Sequence, residues 1–220
     1  MTDRIKEICL RLPRASVFAD VGCDHGYCTQ YALQNGLCER AYISDISAPS
    51  LKKAEALLKN EIAAKKCIPV CADGLQGIPE RCDCVLIAGM GGEEIVKIFS
   101  DSYIPEKFVL QPMKNADKVR LFLIKSGCGI SFDGTFFAEG KAYDLIEGTA
   151  HGTESYTECE LFFGRDNIKN PSAEFLKKLR RDREKLRALV TCDMQEKSRG
   201  EVLERLRLYE EITNVIERDL

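Results

Sequence analysis

The chain has 220 residues, 45% hydrophobic and 30% charged, which leaves room for one α/β domain of about 150 residues and an appendage. No stretch of about 18 apolar residues exists, so no helical membrane span is expected, and the net charge of −3 lacks the basic footprint of a dedicated nucleic-acid binder. Residues 1–13 carry Asp3, Arg4, Lys6, Glu7 and Arg11 among apolar positions, which predicts an amphipathic helix rather than a signal peptide.

Residues 16–21 read as a short buried strand, followed by a glycine-bounded turn from Gly22 to Gly26 and a helix over 27–35 that stops at Gly36. A second strand is expected over 41–46 and a helix over 47–64, with Ser47 as N-cap and Leu51, Ala54, Leu57 and Leu58 on one face. Residues 67–71 form a third strand. Residues 82–88 form a fourth, nearly all apolar as a parallel strand covered on both faces should be. A helix over 93–99, a strand over 107–111 and a helix over 115–126 continue the alternation. Strand–helix alternation of this kind predicts a Rossmann-like α/β fold with a parallel sheet and right-handed crossovers.

The pattern then changes. Residues 130–137 and 143–147 read as two strands joined through Glu139-Gly140-Lys141, too short a link for a helix, and 161–163 as a further strand. Asn170-Pro171-Ser172 closes the domain, giving expected domains of 1–168 and 169–220. Beyond it, Phe175, Leu176, Leu179, Leu186, Leu189 and Val190, and then Val202, Leu203, Leu206, Tyr209, Ile212, Val215 and Ile216, recur at three- and four-residue steps. Two helices separated by a polar stretch at 191–200 make a C-terminal helical hairpin, a short coiled coil.

Eleven cysteines lie scattered through apolar segments without a CxxC pair, and only two histidines occur, His25 and His151. The cysteines read as small buried hydrophobes in a reducing cytosol, and no metal site is expected.

Five strand ends carry the chemistry. Ala19-Asp20-Val21-Gly22-Cys23-Asp24-His25-Gly26-Tyr27 has GxxxG spacing rather than the GxGxxG of a dinucleotide fold, and its acids suit a cationic sulfonium with an amino-acid tail better than a pyrophosphate. Asp45 of Ser44-Asp45-Ile46 stands where a nucleotide domain places an acid on ribose hydroxyls, although it or Ser47 could cap the following helix. Asp73-Gly74 offers an acid to an adenine amino group, or forms a plain Asp-Gly turn. Ala88-Gly89-Met90-Gly91-Gly92 leaves bare backbone at the ligand-binding edge of the sheet. In Gln111-Pro112-Met113-Lys114-Asn115, Gln111 and Asn115 place amides at the same edge, with Asn115 also a candidate cap.

With these blocks and Glu139-Gly140-Lys141-Ala142-Tyr143-Asp144, the whole chain resembles the bacterial tRNA (adenine-22 N1)-methyltransferase family, the TrmK family, within the class I S-adenosylmethionine methyltransferases. Cys23 and Gly26 stand where the family is expected to carry serine and alanine, small-for-small exchanges. The resemblance implies methylation of N1 of adenine 22 in tRNA, S-adenosylmethionine as cofactor, and a seven-stranded sheet with an antiparallel terminal hairpin. Asp20, Gly22, Cys23, Gly26, Asp45, Ile46, Asp73, Gly74, Ala88, Gly89 and Met90 are then expected at the cofactor, and Gly91, Gly92, Gln111, Pro112 and Asn115 at the substrate.

Adenine N1 attacks with its own lone pair, so the reaction needs positioning and tolerance of charge on the ring. Asp24 is the first candidate to accept from the exocyclic amine, with His25 and Tyr27 beside it. Between Phe175 and Arg187 seven Lys and Arg residues face two acids, which marks Lys178, Arg181 and Lys185 as an expected tRNA-binding arm, against a merely solvated helix face. A cytoplasmic monomer or weak homodimer, free of membrane and metal, is expected. A methyltransferase acting on another RNA or a small molecule and a non-catalytic RNA-binding protein are the competing readings; a nicotinamide oxidoreductase is disfavoured by GxxxG and by the terminal hairpin.

Overall fold

Runs of apolar, β-branched and small residues make the seven strands of one sheet, six running in one direction and the last in sequence against them. They are β1 (Ala15–Val21), β2 (Cys38–Asp45), β3 (Cys67–Cys71), β4 (Cys84–Met90), β5 (Lys107–Pro112), β6 (Gly129–Ala138) and β7 (Lys141–Thr149). The computed structural model describes residues 1–153, 155–192 and 195–219, with side chains through 216. The sheet order is β3-β2-β1-β4-β5-β7-β6, in which β7 pairs antiparallel with both β5 and β6. This is the seven-stranded arrangement the resemblance implied. Glu139 (φ 51°) and Gly140 (φ 73°) both take the left-handed region in the β6–β7 turn, the geometry a two-residue hairpin favours.

The first unit, Met1–Ser155, carries six helices among its described residues: α1 (Asp3–Leu10), α2 (Tyr27–Gln34), α3 (Ala48–Leu57), α4 (Lys59–Ala63), α5 (Gly92–Ser100) and α6 (Ala116–Lys125). Three of these starts have a side-chain cause. The Thr2 hydroxyl accepts the Ile5 N–H to open α1, the Ser47 hydroxyl accepts the Ser50 N–H to open α3, and the Glu94 carboxylate accepts the Gly91 N–H (2.7 Å) at α5. Ile8 and Cys9 of α1 and Cys28 and Ala32 of α2 are buried with Phe18, Leu86, Val109 and Leu145 of the sheet, which puts α1 and α2 on one face. The helix expected over 47–64 is two helices that break at Leu58, whose side chain is completely buried beside Cys23, Ala54 and Cys67.

The second unit, Tyr156–Leu220, begins earlier than the expected boundary of 168/169. It holds α7 (Glu158–Phe163), α8 (Arg165–Lys169), α9 (Ala173–Val190) and α10 (Glu196–Asp219). Residues 161–163 are helical, not a strand. The Thr157 hydroxyl accepts the Glu160 N–H, and the Glu160 carboxylate returns to the Thr157 N–H, a capping box that commits the apolar run to helix. Phe162 and Phe163 meet Tyr209 of α10 edge-on, with Phe163 and Tyr209 centroids 4.9 Å apart, which ties α7 to the hairpin. Gly200, expected in the connecting loop, lies inside α10; Asp193 and Met194 of that loop fall outside the described residues.

Candidate active site

The carboxyl ends of β1, β2, β3 and β4 meet at one edge, as parallel strands leaving a sheet in the same direction must. There β1 turns at Gly22 (φ 72°). That φ favours glycine, and the Met90 methyl carbon from the end of β4 fills the space where a side chain at Gly22 would begin.

Two cavities open beside Gly22. The smaller, about 280 Å³, is bounded by Asp45 of β2 and Ile46 after it, Asp73 and Gly74 after β3, Met90 of β4, and Lys97 of α5. Ile46 is 73% exposed, an apolar side chain left uncovered at the cavity. Asp45 accepts the Ser47 N–H (2.8 Å) on one oxygen and the Asp24 N–H (3.4 Å) on the other, so it shapes both turns around it. Asp73 pairs with Lys97 at 3.4 Å.

The larger cavity, about 650 Å³, is bounded by Asp20, Gly22, Cys23, Asp24, His25 and Tyr27 from the β1–α2 segment and by Ala88 and Gly89 of β4. Asp20 is 5% exposed and accepts a hydrogen bond from the Thr29 hydroxyl at 2.8 Å. Burial pushes its carboxyl up from 3.8 to about 6, against the lowering effect of the Thr29 contacts. Asp24 adopts φ 44°, an unfavourable conformation for a residue with a Cβ, and is exposed, held by Lys53 at 3.1 Å with His25 Nε2 at 3.7 Å. The His25 and Tyr27 rings stack with centroids 5.5 Å apart.

A methyltransferase-domain family profile matches residues 1–146, two thirds of the chain. A protein of Mycoplasma pneumoniae assigned as a tRNA methyltransferase is 30% identical over 157 residues, 69% of this chain and 72% of that one. The chain belongs to the TrmK family of methyltransferases. The tRNA (adenine(22)-N(1))-methyltransferase of Bacillus subtilis is 26% identical over 189 residues, 81% of this chain and 79% of that one. In fold the chain matches M. capricolum TrmK, solved with S-adenosylhomocysteine, with a TM-score of 0.89 at 19% identity over 98% of this chain and 99% of that one.

Within this TrmK fold, most residues expected at the cofactor bound one cavity or the other. Gly26 does not; an added Cβ there would fall 2.9 Å from Leu58 Cδ1 and 3.0 Å from Ala54 Cβ, so this glycine seats α2 against α3. Asp24, His25 and Tyr27 share the larger cavity, as their common turn requires. Five residues expected at the substrate bound neither cavity. A Cβ on Gly92 would stand 2.1 Å from the Asn115 carbonyl oxygen, and Gly91 is buried with its N–H on Glu94, so both glycines serve the packing of α5 on the segment before α6. Gln111 and Pro112 are buried, and Asn115 opens α6 with φ 56°. Sequence reasoning missed the wall formed by Met1, Thr2, Arg4 and Ile5 and by Glu139 of the β6–β7 turn.

In the second unit Lys178, Arg181 and Lys185 all approach Asp182, at 3.0, 3.1 and 3.9 Å, and Arg181 and Lys185 remain exposed at 61% and 67%. Among the described residues, no three His, Cys, Asp or Glu side chains are arranged to hold a metal ion, and no helix is long and apolar enough to cross a membrane.

Proposed function

We propose that the protein transfers the methyl group of S-adenosylmethionine to N1 of adenine 22 of tRNA. The observation that carries this reading is the pair of cavities meeting at Gly22, with an acid on each wall where the cofactor presents a donor. The likeness to the Bacillus subtilis enzyme supplies the target base, and S-adenosylhomocysteine in M. capricolum TrmK supports the cofactor. The residues fit that group. Asp45 and Asp73 offer acceptors to ribose hydroxyls and an adenine amine, uncovered Ile46 offers an apolar face to the ring, and Asp20 offers a carboxylate to the ammonium of the tail. Bound there, S-adenosylmethionine supplies an electrophilic methyl on a sulfonium.

The chain's own groups do the rest. Gly22 and Gly89 keep the backbone bare where two ligands must approach. The stacked His25 and Tyr27 rings form a platform for a base turned out of the RNA. Asp24 accepts from the exocyclic amine as positive charge grows on the adenine, while Lys53 holds its carboxylate in place. Asp24→Asn is expected to lower kcat about ten- to a hundredfold with cofactor affinity retained, the loss of one charge-assisted acceptor. Near-normal turnover of that variant removes Asp24 from this role.

The α9 cations hold tRNA phosphates. Changing Lys178, Arg181 and Lys185 together to Glu should weaken tRNA binding, lower the slope of log affinity against log salt by about 2 to 3, and spare cofactor binding. Unchanged tRNA affinity in a filter-binding titration counts against the arm. The reading as a whole is tested by labelled methyl transfer to unmodified tRNA carrying adenine or guanine at position 22. Label only in the adenine tRNA supports it; equal label in both moves the target site.

A further inference from the structure

Nine of the eleven cysteines are buried, and two of these touch. Cys9 in the last turn of α1 and Cys28 in the first turn of α2 share a hydrogen bond, with their sulfurs 3.9 Å apart. Among the described residues this is the one hydrogen bond between two cysteine sulfurs. Burial pushes other buried thiols up, Cys38 and Cys82 to about 11 and Cys67 and Cys84 to about 12, which keeps them protonated and inert. Cys9 departs from that pattern. The hydrogen bond with Cys28 holds its thiol below the usual value, although burial acts against it. The same hydrogen bond, with burial, pushes Cys28 well above.

The pair joins two helices that both line the larger cavity. Cys28 itself bounds that cavity, so a solute as small as a peroxide that enters it meets this residue. Tyr27 before it stacks on His25, and Thr29 after it donates to Asp20 at 2.8 Å. On α1, Ile5 lies one turn before Cys9 on the same face of the helix, and it also bounds the cavity. Anything that draws α1 and α2 together at the two sulfurs therefore shifts residues that shape this cavity.

A disulfide holds its sulfurs about 2.05 Å apart, so joining Cys9 to Cys28 closes the gap by roughly 1.9 Å, shared between the two helices. The step needs an oxidant, and a hydroperoxide balances it. One sulfur, as thiolate, attacks a peroxide oxygen, and the O–O bond breaks. The hydroxide that leaves takes up the proton the thiol released, and a sulfenic acid remains. The second sulfur attacks the first, the S–O bond breaks, and water leaves with the second thiol's proton. The two sulfurs lose two electrons, the two oxygens gain them, and hydrogen peroxide ends as two waters. We infer that Cys9 and Cys28 form a reversible disulfide under peroxide, and that this bond switches the cofactor site off. The switch rests on the cofactor reading above; the bond does not. Linkage makes the effect reciprocal, so bound ligand disfavours the bond by the same factor by which the bond weakens the ligand.

The test oxidises the full chain with hydrogen peroxide, removes the excess with catalase, alkylates the remaining thiols and digests with trypsin. Trypsin cuts after Arg11 and Arg14, between the two cysteines, so the bond appears in mass spectrometry as a linked pair of peptides. Fragmentation of that pair should place the bond on Cys28 rather than on Cys23 or Cys38 of the same peptide. Calorimetry with S-adenosylhomocysteine should show an affinity about 5- to 150-fold weaker in the oxidised protein, the usual span of coupling between sites, and dithiothreitol should restore it. In a glutathione redox buffer, saturating S-adenosylhomocysteine should favour the dithiol by the same factor. Cys9→Ala should lose no affinity on peroxide treatment relative to its own reduced form; if it does not melt cooperatively, Cys28→Ala takes its place in the same comparison. Peroxide that leaves Cys9 and Cys28 unlinked, while the reduced protein binds S-adenosylhomocysteine, overturns this inference alone. A mapped bond that leaves affinity unchanged overturns the switch. Loss of affinity in Cys9→Ala equal to that of wild type also overturns it, and assigns the inhibition to another thiol, such as exposed Cys71 or Cys192. Reduced protein that binds no S-adenosylhomocysteine ends the cofactor reading and the switch together, whichever way the thiols map.

Discussion

Asp20→Asn is expected to weaken S-adenosylmethionine binding about ten- to a hundredfold, the range of a hydrogen-bonded charge pair removed from a largely dry site. The side chain is buried, and the Thr29 hydroxyl is its hydrogen-bonding partner on α2. The protein's own groups compensate its charge poorly, so burial raises the carboxyl from 3.8 to about 6. The sign of the consequence is definite. A proton on Asp20 favours the folded protein fully below about 3.8, and that contribution is lost as pH rises through about 6. A cationic tail prefers the carboxylate, so cofactor affinity in the wild type should climb between pH 5 and 7 and level off above about 7. Asp20→Asn should flatten that rise. Calorimetry at several pH values reads both effects. A variant with wild-type affinity, or one with the same pH step, would show that Asp20 is not the ammonium's partner.

Arg120→Met should have the largest effect on stability of any single change in the sheet domain. Arg120 of α6 is wholly buried, with Nε donating to both oxygens of Asp133 on β6 at 2.8 and 3.0 Å and Nη2 donating to Asp144 on β7 at 3.0 Å. This one guanidinium ties the terminal hairpin to α6. Removing it strands Asp133, which is 1% exposed, as a buried charge without its cation. Breaking such a pair typically costs about 3–5 kcal/mol, a fall in melting temperature of roughly 10 °C for a domain of this size. The double change Arg120→Met with Asp133→Leu should recover a large part of the loss, because apolar replacements remove the stranded charge. Thermal denaturation of the three proteins decides it. A single variant that loses less than about 1 kcal/mol would mean that water or a neighbouring group already neutralises Asp133.

These two residues differ in how far the sequence reveals them. Asp20 was legible because it sits beside Gly22 and Gly26 at the end of an apolar strand. A parallel sheet delivers every such end to one edge, so short local blocks suffice to outline a cofactor site. The antiparallel hairpin was legible for a similar reason, since Glu139-Gly140 is too short to cross back as a helix. Arg120 carries no such mark, because its partners lie 13 and 24 residues away and become neighbours only when α6 docks. Arg4 is hidden more deeply, reaching Gln111 across 107 residues. Gly91, Gly92 and Gln111 carry structural duties that the sequence does not display. Glycines and an amide at a ligand-binding edge read as contacts, yet their backbone closeness and their hydrogen bonds are spent inside the protein. The segment at 161–163 shows a different limit. Three apolar residues fit a strand or a helix equally, and the Thr157–Glu160 capping box, present in the sequence, was the cue that separates them.

The most direct test of the central claim is the identity of the product nucleoside. Unmodified tRNA with adenine at position 22 is incubated with the protein and S-adenosylmethionine, digested to nucleosides and resolved by mass spectrometry against authentic standards. One equivalent of 1-methyladenosine, absent when guanine replaces adenine 22, is the predicted result. N6-methyladenosine in its place, or 1-methyladenosine that persists in the guanine-22 tRNA, would contradict the account.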